Sequence, residues 1–137
     1  LKLSAFITLH ALLAIAAGIT FALYSPLALN FFGIIESVGG ADLYWFTVSF
    51  ARLFGAALFG LGFVILSLRK IITNPILDSQ TRRSVLFALL LSNLVGLIVA
   101  LTQQVSIWGT AAGWVITGVF FILLAGCGYY LIKNPGI

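Results

Sequence analysis

Charge is scarce in this chain. Of its 137 residues 7% are charged, seven of them basic and three acidic. A soluble domain carries about 25%. So few charges cannot cover a water-facing surface. With 62% hydrophobic residues and a mean hydropathy of +1.21, lipid replaces water as the main solvent. Apolar sequence fills nearly the whole length, so a single integral membrane domain over residues 1–137 is expected, with no soluble domain beside it.

Other absences narrow the function. One cysteine, Cys127, excludes an internal disulfide; in "LLAGCGYY" it reads as a small buried thiol. Methionine is absent and histidine occurs once. A haem held within the chain by two histidines, or by His and Met, is therefore excluded. There is no HExxH, no CxxC, no phosphate loop and no pair of carboxylates inside an apolar segment, so catalysis is not expected. Proton or ion transport lacks acids at depth, and the internal symmetry of an inverted-repeat carrier is missing. The net charge of +4 does not imply nucleic acid, because most of the seven basic residues flank greasy segments. The chain opens on Leu1, not methionine, so a preceding segment is expected.

What is present is four stretches long enough to cross a bilayer, which takes about 20 apolar residues. They run over roughly 3–24, 43–68, 84–107 and 110–132. The first is too long for a typical cleavable signal and could be a retained anchor. Between the first two lies "SPLALNFFGIIESVGGAD". Pro26 ends the first helix. Leu27, Phe31, Ile34 and Ile35 then recur at helical spacing, which predicts a short helix in the interface plane. Gly39 and Gly40 free the chain to turn, and Asp42 is the expected N-cap of the second span. The next loop carries the breaker Asn74-Pro75, with Asp78 or Ser79 to cap span three. Spans three and four join through a few residues around Trp108 and Gly109, hence a tight antiparallel hairpin. The expected fold class is all-α: a four-transmembrane-helix bundle with a short interfacial helix between helices 1 and 2.

Charge also predicts topology. Lys2, Arg69, Lys70, Arg82, Arg83 and Lys133 share one side of such a bundle. The other side's loops hold only Glu36 and Asp42. This positive-inside asymmetry puts both termini in the cytoplasm. Tyr44, Trp45 and Trp108 then form an outer aromatic belt, and Tyr129 and Tyr130 an inner one.

Helices associate in lipid through small and polar residues. At 100° per residue each span offers such a stripe: His10, Ala14, Ala17 and Tyr24 on span one; Arg52, Gly55 and Ala56 on span two; Asn93, Gly96, Ala100 and Gln104, bordered by Gln103, on span three; Gly109, Gly113 and Thr117 on span four. Arg52 is costly in a membrane helix. It is expected to turn inward on the Gly55 and Ala56 face and bond Gln103 or Gln104, with Glu36 as a further charge partner. Its other readings are an anion, headgroup or quinone carbonyl contact, or a contact to a neighbouring subunit. His10 is expected to bond Asn93 at similar depth. Its sharper reading is an axial ligand to a chlorin, or to a haem shared with another chain. No metal and no cofactor are expected otherwise; lipid, quinone or chlorin are the ligands left open.

The runs "ARLFGAALFGLGFVILSLRK" and "TRRSVLFALLLSNLVGLIVAL", with a closing "GW…GYYL", resemble small four-helix bacterial integral membrane proteins of uncharacterised function. The resemblance covers roughly Ala51 to Leu131. It implies that Arg52 belongs to the pattern, and it implies a bacterial cytoplasmic membrane. No activity comes with it. The expected function is non-enzymatic: an accessory or assembly subunit of a larger membrane complex, in contact with lipids and other membrane subunits. The alternative is a stand-alone binder or carrier of a small apolar ligand such as a lipid, quinone or pigment.

Overall fold

The computed structural model describes residues 2–36, 40–74 and 79–133. The protein is all-α, as expected. Helix α1 spans Leu3–Leu23, α2 spans Ser25–Phe31 and α3 spans Ala41–Ile72. Helix α4 spans Ser79–Gln103 and runs into a π-helical turn, Gln104–Trp108. Helix α5 spans Ala111–Ile132. Four of these stretches are long and apolar enough to cross a membrane.

The chain divides into two compact units, one of Thr8–Leu66 and one of Leu1–Ile7 with Ser67–Ile137. In the first, α1 and α3 approach through glycine. A Cβ at Gly18 would stand 2.5 Å from the Phe59 backbone nitrogen, and one at Gly55 would overlap the backbone nitrogen of Ala22. A Cβ at Gly62 would meet the Ile15 side chain at 2.5 Å. Contacts climb one helix as they descend the other, so the pair is antiparallel. On α3 the buried positions Val48, Gly55 and Gly62 recur every seven residues. That is the spacing of a seam between two helices crossing at a shallow angle. Lipid tails are as apolar as leucine, so close van der Waals packing, not expulsion of apolar surface from water, holds such a seam.

Pro26 does not lie beyond a clean helix end. Only Tyr24 separates α1 from α2, and Pro26 occupies the first turn of α2, where its missing N–H has no partner to lose. The Ser25 hydroxyl donates back to the Phe21 carbonyl. Helix α2 ends earlier than its apolar spacing suggests. Ile34 N–H donates to Leu29 O at 3.0 Å and Gly33 N–H to Asn30 O at 2.9 Å, and Gly33 has φ 77°. This Schellman closure leaves Ile34 and Ile35 outside the helix. The α2 face with Ser25, Ala28 and Leu29 is buried, and Phe32 stacks on Phe21 at 6.2 Å.

Asp42 is not the cap of α3 but lies in its first turn, where a carboxylate still complements the helix dipole. The Gly40 carbonyl accepts the first bond, from Tyr44 N–H at 3.1 Å. Ser79 is itself helical. The expected cap at Asp78, the breaker half Pro75 and the hinge residue Gly39 lie outside the described residues.

In the second unit α4 and α5 form the expected hairpin. Asn93 meets Cys127, a Cβ at Gly96 would run into the Phe120 ring, and Gly113 lies against Gln104, an antiparallel register along the pair. At the far end of α5 the Phe6 ring covers Gly126 and packs on Tyr130 at 5.3 Å. Tyr130 is therefore buried. Tyr129 stays exposed.

Candidate functional site

Polar residues inside apolar helices are the candidates, because each needs a partner where water is absent. Most hydroxyls find one on their own helix. Thr20, Thr47, Ser49 and Thr117 each donate to the carbonyl four residues earlier. Such bonds satisfy the group locally and leave nothing for a ligand.

The α4 stripe is arranged as its spacing implies. Asn93, Ala100 and Gln104 are buried and Gly96 is half-buried. Asn93 Nδ2 donates to Leu89 O at 2.7 Å and approaches Cys127 Sγ at 3.9 Å, so its amide hydrogens are committed within the α4–α5 hairpin. Cys127 is a partner that a reading of the thiol as mere filler misses. His10 is buried on α1. No group of three or more His, Cys, Asp or Glu side chains suited to a metal occurs among the described residues.

Gln104 works differently from its expected role. Its Nε2 donates to the Thr110 carbonyl at 2.9 Å, closing the turn between α4 and α5. Gly109 makes this possible with a left-handed φ of 58°, and its N–H donates to Gln104 O at 3.1 Å. That bond reaches back five positions along the chain, the mark of a π turn. Thr110 then caps α5, its hydroxyl accepting from Gly113 N–H at 3.3 Å. Gly109 and Gly113 are thus not a helical GxxxG pair, since Gly109 is in the turn. Gly113 and Thr117 remain as the buried small positions of α5. Gln103 is half-buried at the end of α4.

Arg52 lies on a different face of α3 from Gly55. It is the twelfth residue of α3, about 17 Å from the helix start at 1.5 Å per residue. It is exposed. Among the described residues it has neither a hydrogen bond nor an ion pair, with Glu36 or any other group. Gly55 faces α1, but Ala56 is exposed together with Arg52. The reason is angular: adjacent helical residues differ by about 100°, so Gly55 and Ala56 cannot mark one face. Arg52 shares its face with Ser49, Ala56 and Gly60, all exposed. A Cβ at Gly60 would meet nothing within 4 Å. Small residues and a cation thus form an outward strip on α3. The repeat of small residues at 56 and 60, offset from that at 55 and 62, is the sequence signal for it.

A different charge pattern marks one end of the second unit. Lys2 precedes α1, Arg69 and Lys70 close α3, and Arg82 and Arg83 lie in the opening residues of α4. Lys133 follows α5, and its ammonium donates to the Tyr129 hydroxyl at 2.7 Å. That hydrogen bond is the main cause holding the Lys133 ammonium above its ordinary pKa. Arg82 Nη2 donates to Asn74 O at 3.3 Å, which ties the link after α3 to the start of α4.

Four apolar spans make this a multi-pass membrane protein. No protein-family model, no curated protein and no solved structure matches the chain.

Proposed function

We propose that the protein is a non-enzymatic subunit, accessory or assembling, of a larger complex in a bacterial cytoplasmic membrane. Both termini face the cytoplasm in this reading, and the six-cation end supports that orientation. The observation that carries the proposal is the exposed strip Ser49, Arg52, Ala56 and Gly60 on α3. A face that meets only lipid gains from large apolar side chains. Small residues there give up contact with acyl chains, and they favour the close approach of another helix. An arginine on the same strip calls for an acceptor, which a neighbouring subunit can supply.

The test is the size of the particle extracted in mild detergent. The native chain should migrate with partners, and Arg52→Ala should release it as a free chain. A native chain that runs alone and carries bound lipid, quinone or pigment would overturn the proposal in favour of a stand-alone binder.

A further inference from the structure

Arg52 holds a charge that no acid of its own chain reaches. The chain has three Asp and Glu residues, Glu36, Asp42 and Asp78. Among the described residues Arg52 has no ion pair with Glu36 or with any other group. Asp42 sits in the first turn of the same helix, about 15 Å away along the axis. Asp78 follows Asn74, whose N–H still bonds Ile71 O at 3.1 Å, about 30 Å beyond Arg52. The chain from Asn74 to Asp78 spans at most about 14 Å, too little to return. The described residues of the second unit hold no Asp or Glu.

A charge inside a membrane span needs an opposite charge or a route to water. Ser49 supplies neither, and its hydroxyl already donates to Trp45 O at 3.0 Å. A headgroup contact accounts for the guanidinium but not for the strip beyond it. Ala56 and Gly60 are exposed and lie about one and two turns further from the start of α3. A second copy of the chain brings no acid to this level, and packing strip to strip would set Arg52 against Arg52. Charge complementarity leaves a helix of a different chain. Resting on the reading of the strip as a subunit contact, we infer that the partner presents a transmembrane helix with an Asp or Glu level with Arg52. Its carboxylate takes the guanidinium, a pair strengthened by two parallel N–H···O bonds and by the exclusion of water. Its backbone comes close over Ala56 and Gly60. Either chain alone holds an unpaired charge in lipid, so the charge itself favours assembly over the free chain.

The experiment uses the full chain in phosphatidylcholine vesicles, with two synthetic leucine-rich transmembrane peptides as probes. Both peptides carry a strip of small residues. One has an Asp on that strip and the other an Asn at the same place. Energy transfer from the labelled chain to the labelled peptide reads association. The Asp peptide should associate about tenfold more tightly than the Asn peptide. Arg52→Gln should bring the two to equal affinity while melting as the native chain does, because the side chain is exposed. Arg52→Lys should recover only part of the difference, lacking the planar fork. Gly60→Leu fills the strip and should weaken both peptides. Equal association of the two peptides with the native chain, or a difference that survives Arg52→Gln, would overturn the carboxylate partner. If Gly60→Leu still weakens both in that case, the strip remains a helix contact and the subunit reading stands; if it has no effect, that reading fails too. Self-association of the native chain that is lost on Gly60→Leu would also overturn the inference, because a second copy brings no acid.

Discussion

Gln104 and Gly113 interlock across the turn between α4 and α5. The Gln104 side-chain oxygen is buried without a hydrogen-bond partner and lies where a Cβ of residue 113 would have to be. The amide nitrogen is meanwhile fixed on Thr110 O. That donor requirement sets the orientation of the amide, since swapping O and N would face two acceptors together. The oxygen is left against the bare Cα of Gly113, a C–H···O contact of the kind that recurs between close helices.

Gly113→Ala should therefore expel the Gln104 amide and lower the melting temperature in detergent. Gln104→Ala should lower it too, by the loss of one buried hydrogen bond, about 1 kcal/mol. The informative measurement is the double-mutant cycle. In the Gln104→Ala background, Gly113→Ala should cost little more. Strictly additive losses would show that the two residues do not act together.

The glycines of α3 should separate by face. Gly55→Ala and Gly62→Ala place a methyl against α1 where the first obstacle includes backbone. Each should destabilise by about 1–3 kcal/mol, as overpacking does. Gly60→Ala adds a methyl in open space and removes the flexibility of a helical glycine, so the isolated chain should melt no lower than the native one. Thermal unfolding of the three variants side by side decides this. A Gly60 variant as damaged as the Gly55 variant would contradict the assignment of faces.

The four spans follow from run length, and the α4 stripe follows from cost: Asn93 and Gln104 have few places to go in lipid except inward. Arg52 could not be read the same way, because an arginine is long enough to leave the apolar core along its own side chain. The two small-residue repeats on α3 differ by one register step, and only the approach of α1 at Gly55 and Gly62 tells them apart. Gly109 resembled half of a helix-packing motif because sequence spacing carries no φ. The early end of α2 was hidden for the same reason: Ile34 and Ile35 continue the apolar period past a glycine that turns left-handed.

Orientation is open to cysteine labelling in intact cells, with Cys127 replaced by alanine to remove the native thiol. A single cysteine at Ser79 should be protected from an impermeant maleimide, and one at Ala41 should react. Both positions are exposed, so burial cannot explain a difference. The reverse pattern would place the basic end outside the cell.

The Arg52 strip is expected to meet protein rather than lipid. A photoreactive side chain placed at Ala56 tests it in living membranes, with Phe121 on α5, also exposed, as the comparison. A discrete protein adduct is expected from position 56, lost when Arg52 is changed to alanine, with no such adduct from position 121. Lipid adducts alone from both positions would contradict it.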